Sequence, residues 1–510
     1  MNTEPKAVSR TSDRRIWLVT ALGIVAIATA VRFAVNFSST YPPGTDAAYY
    51  PLQTRALMTG GRLMYNDLPL IFWLIAGVTK VLTVIGWESD AALLLASRIV
   101  DCVGPPWAAA FVMAAGYDWS GGRRAALAGS ASAATIVVLW PPAFAMLSEF
   151  QKNSLGLVWM AAAAWAIAAA MRHGGRQRWA TLFVVMVLSA LTHIGAFGAT
   201  AMMVGLALIF WSVPYRRGPG LARWRTALVS VIIVVVPLLI LALVEPRRLE
   251  VLARGPIEMF GQAGRFGGGG QMIGLTLLFV VPVVVLGLRR VWTDRRELSR
   301  ADIAIVTAAA LTVIAMVVPA SSEYARRLSL MSPVPAVTIL GFLLARRAVD
   351  GRSPWPGRVV VAGVLAIACI TVVNARHFVV PAFIDSEEAG DLREMRGQIP
   401  EPASTLVIAT HGLEWWAGYF LHTPVRVVSM DPQTYGSIRA SVPPDAFERY
   451  RRVLVIRHAP ASQAGRPAAP RTESDVVLHL IRTGRALDLL EVAPSQAGRV
   501  GGSARAVSAR

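Results

Sequence analysis

The sequence is poor in charged side chains and in cysteine. Only 16% of its 510 residues are charged, whereas 55% are hydrophobic. A soluble protein of this length would need far more charge to cover its surface, so an entirely soluble protein is excluded. The two cysteines, Cys102 and Cys369, both fall in apolar runs. Neither a disulfide framework nor a cysteine metal site is therefore indicated.

Acidic residues are almost absent from the apolar runs, and no internal repeat is visible. A proton or ion path across a membrane needs ionisable side chains within the spans, and many transporters are built from inverted repeats. Both absences weigh against a membrane transporter or lipid flippase, which stays one alternative function. A non-catalytic membrane scaffold for envelope assembly is the other.

Long apolar runs recur along the first three-quarters of the chain. Runs of about 18 residues or more are typical of membrane helices, and backbone groups in a bilayer must be satisfied within the span. The first run is too long for the apolar region of a signal peptide and is expected to be retained. We predict a polytopic α-helical membrane protein with about eleven transmembrane helices, at residues 16–36, 97–116, 125–142, 154–171, 179–194, 197–213, 226–244, 272–288, 302–319, 328–345 and 359–376.

The net charge of +19 comes from short basic clusters between the apolar runs, which favours a role in membrane orientation over nucleic-acid binding. If every cluster faces the cytoplasm, an even number of spans must precede Arg123. Three apolar stretches precede it, so the one at 68–86 is predicted not to cross and to lie along the outer surface or re-enter. The N-terminus is then cytoplasmic, and the chain leaves the membrane on the outer side after Arg376.

The chain changes character after residue 376. We predict a membrane domain at 1–376 whose first outer loop, 37–96, contains the non-crossing helix, then a small soluble α/β domain at 377–495. Four short β-like runs, at 405–409, 425–429, 452–456 and 476–481, and a helical stretch at 414–421 support that domain. Gly, Ser, Ala and Arg dominate the tail, 496–510, which is predicted to be disordered.

Unusual polar residues gather in the segments that face outward. The first outer loop contains Asp46, Tyr49 and Asp67, and later outward segments contain Glu149, Lys152, His193, Glu323, Arg326 and Arg327. Arginine on the outer side opposes the positive-inside bias, which favours an anionic partner such as a lipid phosphate. A carboxylate can deprotonate an acceptor hydroxyl while cations stabilise a departing phosphate.

These residues resemble the GT-C superfamily of integral membrane glycosyltransferases, in the style of the protein mannosyltransferases and the lipid A aminoarabinose transferase. The resemblance covers about residues 16–345. It is carried by the acidic first outer loop and by short motifs, Leu68-Pro69-Leu70-Ile71-Phe72-Trp73, Ala96-Ser97-Arg98, Gly121-Gly122-Arg123-Arg124, Glu149 with Lys152-Asn153, and Thr192-His193.

The resemblance implies transfer of a sugar from a polyprenyl-phosphate donor to a glycan, lipid or protein acceptor on the outer face of the membrane. The Arg- and Ala-rich composition favours a bacterial plasma membrane. The resemblance also implies that Asp46 is the catalytic base, assisted by Asp67 or Glu149. Asp67 and Leu68 stand where the family often has a basic residue, so phosphate binding is expected from Lys152, Arg326 and Arg327. Further candidate substrate contacts are Tyr49, His193 and Glu323.

Each of these residues also has an ordinary structural explanation. Asp46 and Asp67 both stand where a helix cap is natural, and Glu149 with Lys152 could form a solvated pair one turn apart. Two or three carboxylates do not make a strong metal site, so the need for a divalent metal stays open. In the C-terminal region, the run His411-Gly412-Leu413-Glu414-Trp415-Trp416 is expected to pack in a core.

Overall fold

The computed structural model describes residues 8–212, 220–250, 270–317, 323–350, 355–430, 433–459 and 476–493. The chain divides into two units. The membrane unit comprises Met1–Asn36, Leu63–Gly86 and Arg98–Val379. The α/β unit comprises Phe37–Arg62, Trp87–Ser97 and Val380–Arg510. The tail predicted to be disordered lies outside the described residues.

The described residues form twenty α-helices and five strands. The α-helices are α1 (Val8–Asn36), α2 (Tyr49–Gly60), α3 (Leu70–Val84), α4 (Ser89–Val103), α5 (Ala108–Ser120), α6 (Leu127–Leu139), α7 (Pro141–Ala145), α8 (Gln151–His173), α9 (Arg176–Thr192), α10 (Ile194–Ser212), α11 (Gly220–Val244), α12 (Gly270–Thr293), α13 (Arg300–Met316), α14 (Glu323–Met331), α15 (Pro333–Val349), α16 (Trp355–Val373), α17 (Ser386–Arg396), α18 (Leu413–Leu421), α19 (Ile438–Ser441) and α20 (Ala446–Arg449). The strands are β1 (Thr405–Ala409), β2 (Val425–Val427), β3 (Arg452–His458), β4 (Leu478–Thr483) and β5 (Leu487–Val492).

Seven helical segments of the described residues, some of them made of two consecutive helices, are long and apolar enough to cross a membrane. They are Asp13–Asn36, Ser89–Ser120, Arg124–Ala145, Gln151–His173, Ile194–Ser212, Gly274–Thr293 and Arg326–Ala348. Each coincides with a predicted span, which confirms a helical protein with several membrane-spanning segments. The other four predicted spans fall on α9, α11, α13 and α16, so the count of eleven stays a prediction.

Helix α3 occupies the stretch that was predicted not to cross. It has 15 residues, which at 1.5 Å per residue is about 22 Å. The apolar core of a bilayer is about 30 Å thick. The length of α3 agrees with a helix that lies at the surface or re-enters, although its orientation stays a prediction.

Helix α8 forms the centre of the membrane unit. It packs against α5, α9, α10, α13 and α15, and 89% of its most apolar stretch is buried. Small residues let its neighbours approach closely, as is typical of membrane helices. A Cβ atom added at Gly156 would lie 2.5 Å from the Cβ of Ala196 on α10. The second turn of α8 therefore packs closely against α10.

The α/β unit is built on a five-stranded sheet in the order β2-β1-β3-β5-β4. Strand β1 pairs in parallel with β2 and β3, with Val407 opposite both Val425 and Leu454. Strand β5 pairs antiparallel with β3 and β4. Every residue of β1 is buried, as expected for a strand covered on both faces. Each of the four predicted β-like runs overlaps a strand, and α18 lies at the predicted helical stretch.

Two segments of the first outer loop belong to the α/β unit. The guanidinium of Arg55 donates to the carbonyl of Tyr419 at 2.7 Å and pairs with the carboxylate of Asp90 at 3.0 Å. The backbone N–H of Gly44, at φ 102°, donates to the carbonyl of Val380 at 3.0 Å. The α/β unit thus contains, besides most of the predicted domain 377–495, two segments that stand at least 280 positions earlier in the chain.

Candidate functional site

A sharp turn of the backbone delivers Lys152 to the first turn of α8. Ser148 has φ 58°, a left-handed conformation that is uncommon outside glycine. Its N–H donates to the Asp101 carboxylate at 2.6 Å, and its hydroxyl accepts from the Asn36 amide at 3.1 Å. Because buried partners hold both groups of Ser148, the entry into α8 is fixed.

Asp67 is the centre of an ion cluster in the membrane unit. Its carboxylate is 3% exposed, contacts the ammonium of Lys152, and lies 3.3 Å from the guanidinium of Arg248. It also accepts the N–H of Leu68 at 2.8 Å just before α3 begins. Asp67 therefore holds the backbone just before α3, without capping the helix itself, and neutralises part of the charge of two cations.

A cavity of about 210 Å³ opens beside this cluster. An engineered cavity of about 150 Å³ in another protein accommodates benzene, so this one has room for a phosphate-sized group. Its charged and polar lining comes from five separate parts of the membrane unit, namely Asp67, Lys152, His193, Arg248 and Arg327. Among the described residues of the lining, three cations face one carboxylate, an arrangement that favours an anion.

The two arginines of α14 have different positions. Arg327 lines the cavity, and its guanidinium lies 4.4 Å from the centre of the Phe150 ring. Arg326 lies 5.7 Å from the same ring and is not part of the lining. Phe150 follows the Ser148 turn directly, so a cation–π contact links that turn to Arg327. The structure thus brings Arg327, and not Arg326, to the lining of the cavity.

His193 stands at the break between α9 and α10, with extended backbone angles of φ −158° and ψ 127°. Its Nδ1 accepts the N–H of Ala196 at 3.2 Å, so this nitrogen is unprotonated. In a neutral imidazole the other nitrogen is then a donor. His193 therefore caps α10 and lines the cavity at the same time.

Glu149 is not part of the cavity lining and is 9% exposed. Glu323 is the first residue of α14, and its side chain lies outside the described residues. The catalytic role of Glu149 and the substrate contact of Glu323 stay predictions.

Asp46 lies in the α/β unit with a second group of polar residues. Its carboxylate accepts the indole N–H of Trp415 at 3.1 Å and lies 4.0 Å from Nε2 of His411. Its backbone carbonyl accepts the N–H of Tyr49 at 3.0 Å, and the Tyr49 ring meets that of Trp415 edge to face at 5.0 Å. The carboxylate keeps 24% of its surface exposed, so a substrate hydroxyl can reach it.

Glu414 supports this group from the interior. Nδ1 of His411 lies 3.0 Å from the Glu414 carboxylate, which is 1% exposed. Burial raises the pKa of Glu414, and the hydrogen bond with His411 acts in the opposite direction. Trp416 in the same run is fully buried, which confirms the packed core that was predicted for this run. The same run thus combines buried apolar side chains with the polar pair of His411 and Glu414.

Arg248 was missed in the sequence. It stands with Arg247 in a segment predicted to face outward, and such arginines oppose the positive-inside bias. The same signal singled out Arg326 and Arg327, so it could have found Arg248 as well.

Among the described residues, no group of three or more His, Cys, Asp or Glu side chains could hold a metal ion.

Comparison with known proteins bears on the fold. No model of a known protein family and no curated protein sequence matches the chain. The structure is similar to ArnT from Cupriavidus metallidurans in the apo state, at 15% identity and a TM-score of 0.53, over 95% of this chain and 99% of that one. It is also similar to the same ArnT bound to undecaprenyl phosphate, at 16% identity and a TM-score of 0.52, over 94% and 99% of the two chains.

A third similar structure is the arabinofuranosyltransferase AftD from Mycobacteria, at 15% identity and a TM-score of 0.51. The likeness covers 94% of this chain and 40% of AftD. Identities this low show a shared fold. The similar structures confirm, for the fold alone, the resemblance to GT-C proteins that was drawn from the short sequence motifs.

Proposed function

We propose that the chain is a membrane glycosyltransferase that takes a sugar from a polyprenyl-phosphate donor and transfers it to a glycan, lipid or protein acceptor. The observation that carries the proposal is the cavity where Lys152, Arg248 and Arg327 face the single carboxylate of Asp67. A fold shared with ArnT, which has been solved with undecaprenyl phosphate, supports a lipid phosphate as the anion.

In this proposal the three cations bind the phosphate of the donor. Arginine can hold a phosphate through two parallel hydrogen bonds, and lysine adds a compact charge. Asp67 holds Lys152 and Arg248 in place without cancelling the charge of all three cations. As the bond between sugar and phosphate breaks, negative charge builds on the phosphate oxygen, and preorganised cations stabilise it.

Asp46 takes the role of base in this proposal. The acceptor oxygen forms a bond to the anomeric carbon, the carbon–oxygen bond to phosphate breaks, and the acceptor proton passes to the Asp46 carboxylate. The indole N–H of Trp415 orients that carboxylate, and Tyr49 offers an aromatic surface beside it. Displacement in one step inverts the anomeric centre. NMR of donor and product tests this, and retained configuration would refute it.

We also propose that the protein crosses a bacterial inner membrane many times. In this arrangement the N-terminus is cytoplasmic and the α/β unit lies on the outer side, because the basic clusters between the predicted spans favour the cytoplasm. Labelling of single cysteines introduced at residues 62 and 123 in intact cells tests the orientation. Modification at 123 but not at 62 would contradict it.

Donor binding is tested with undecaprenyl phosphate and the purified protein in detergent. Lys152→Gln should weaken binding about ten- to hundredfold, because a hydrogen bond to a charged group contributes about 1.5–3 kcal/mol. Lys80→Gln is the matched control, since Lys80 is exposed on α3. Equal affinity of the two variants for undecaprenyl phosphate would show that the cavity does not bind the donor phosphate.

Transfer itself is tested with radiolabelled sugar on a panel of polyprenyl-phosphate donors. Wild-type and Asp46→Asn proteins are compared at matched levels in membranes. Loss of transfer in the variant alone would support both the enzyme and its base. Transfer that survives the substitution would keep the enzyme but reject Asp46. No transfer by the wild-type protein, with acceptor-containing membranes added, would favour a transporter or a scaffold.

A further inference from the structure

The membrane unit has a second cavity, of about 700 Å³, at the far end of α8. Helix α8 runs for 23 residues from Gln151 to His173, which corresponds to about 34 Å at 1.5 Å per residue. Lys152 lines the first cavity at the beginning of α8, whereas Arg172 and His173 line the second at its end. The two cavities therefore lie at opposite ends of a helix that is as long as a bilayer is thick.

Arg172 fixes the walls of the second cavity by joining three helices. Its Nε lies 3.1 Å from the carboxylate of Asp302 on α13, and its guanidinium donates to the carbonyl of Asp118 on α5 at 3.0 Å. The side chain of Asp302 is 2% exposed. Ser299 caps α13 by accepting the N–H of Asp302 at 3.1 Å. These contacts hold α5, α8 and the start of α13 together around the cavity.

The charges around the cavity favour an anion. Its lining includes Arg123, Arg172 and Arg300, together with Asp118. Asp302 balances Arg172, and the Asp118 carboxylate accepts the indole N–H of Trp165 at 3.0 Å. Among the described residues, three arginines thus stand with two carboxylates. Arg123, Arg300 and His173 are exposed, so these basic side chains are accessible to a ligand.

The lining of the cavity also has an apolar and aromatic part, formed by Trp119, Met171 and Trp211. Trp119 is 4% exposed, and its indole nitrogen is buried. Trp119 therefore offers the cavity its apolar ring and not a hydrogen-bond donor.

We infer that this second cavity binds the phosphate headgroup of an anionic phospholipid. The exposed arginines match the phosphate, since their planar donors hold phosphate oxygens through paired hydrogen bonds. The aromatic part of the lining suits the glycerol and first methylene groups of a phospholipid. Water and a free anion have no such groups. Basic sites between membrane helices on the cytoplasmic side are a recurrent way to bind such headgroups, and the positive-inside rule predicts that this end is cytoplasmic.

The inference is tested by thermal unfolding of the full-length protein after removal of co-purified lipid. The probes are phosphatidylglycerol, phosphatidylcholine and inorganic phosphate, each added to the same detergent. Phosphatidylglycerol should raise Tm of the wild-type protein well above the shift given by phosphatidylcholine. In the double variant Arg123→Gln/Arg300→Gln this extra shift should vanish, and the lipid concentration for half-maximal effect should rise about tenfold or more.

Arg289→Gln/Arg358→Gln is the matched control, because both arginines are exposed and neither lines the cavity. The control should keep the full shift. Equal loss in both double variants would overturn the site, as would equal shifts from the two lipids. A full shift from inorganic phosphate alone would overturn the lipid in favour of a free anion. If the double variant does not fold, the single variant Arg123→Gln should show a reduced shift, and an unchanged shift would overturn the inference.

Discussion

Arg32 and Asp101 form an ion pair in the interior of the membrane unit, with Nη2 of Arg32 3.0 Å from the Asp101 carboxylate. Their side chains are 2% and 0% exposed. Arg32 also donates to the carbonyl of Ala143 at 3.0 Å, and Asp101 accepts the N–H of Ser148. The pair therefore connects α1 and α4 to the turn that places Lys152.

Asp101→Asn should strongly destabilise the protein. The variant leaves the Arg32 guanidinium buried without its counter-charge, and the loss of one partner of a buried pair typically costs about 3–5 kcal/mol. Denaturant unfolding in detergent measures the change. Arg451→Gln is the control, because it breaks an exposed pair with Glu401 at 2.7 Å, and such pairs contribute about 0–1 kcal/mol. Similar losses in the two variants would show that the buried pair has no special role.

Arg248→Gln should weaken the binding of undecaprenyl phosphate about ten- to hundredfold, since it removes one charged donor from the cavity. The matched control is Arg247→Gln. Arg247 is the exposed neighbour of Arg248 and does not line the cavity. A lipid-binding titration compares the two variants with the wild-type protein. The same loss in both would mean that the general positive charge of the segment, and not the position of Arg248, attracts the lipid.

Gly156→Ala should separate α8 from α10. The added Cβ would lie 2.5 Å from the Cβ of Ala196, so the helices must shift, and overpacking of this kind costs about 1–3 kcal/mol. Both helices contribute to the phosphate cavity, so donor binding should weaken as well. Gly205→Ala on α10 is the control, because an added Cβ there meets nothing within 4 Å. Thermal unfolding should show a lower Tm for Gly156→Ala only.

Helices and strands could be predicted where the sequence signal lies within the element itself. An apolar run of sufficient length fixes a membrane helix, so the seven long helices coincide with predicted spans. Strand β5 was missed because it carries Asp488 and Glu491, which broke the apolar pattern. In the structure these acids face Arg457 at 3.7 Å and Arg452 at 2.8 Å across the sheet. Pairing between strands compensates for charges that look unfavourable in the sequence.

The candidate site was only partly predictable, because it depends on contacts between distant parts of the chain. Asp67, Lys152, His193 and Arg327 were each selected from local signals, and the structure brings all four to one cavity. Nothing local indicates that Lys152 reaches back 85 positions to Asp67. Likewise, the assignment of Asp46 to one unit with His411 depends on pairing across more than 360 positions of the chain.

Glu414→Gln should make the α/β unit more stable at neutral pH. Burial raises the pKa of Glu414 above its ordinary value of 4.5, so the native state holds this proton more tightly than the unfolded chain does. The contribution of Glu414 to stability is then full below pH 4.5 and is lost as the pH rises through the native pKa. Glutamine does not ionise, and its amide can still pair with His411. The Tm of the variant should therefore exceed that of the wild-type protein at pH 8, and the difference should shrink as the pH falls toward 5.

Glu401→Gln is the matched control for this pH series, because the Glu401 side chain is 55% exposed and its ionisation requires little desolvation. Its Tm should stay close to the wild-type value between pH 5 and pH 8. A stabilisation by Glu414→Gln that grows on acidification would reverse the expected sign. It would mean that His411 holds Glu414 as a carboxylate in the native state, and that the hydrogen bond outweighs the effect of burial.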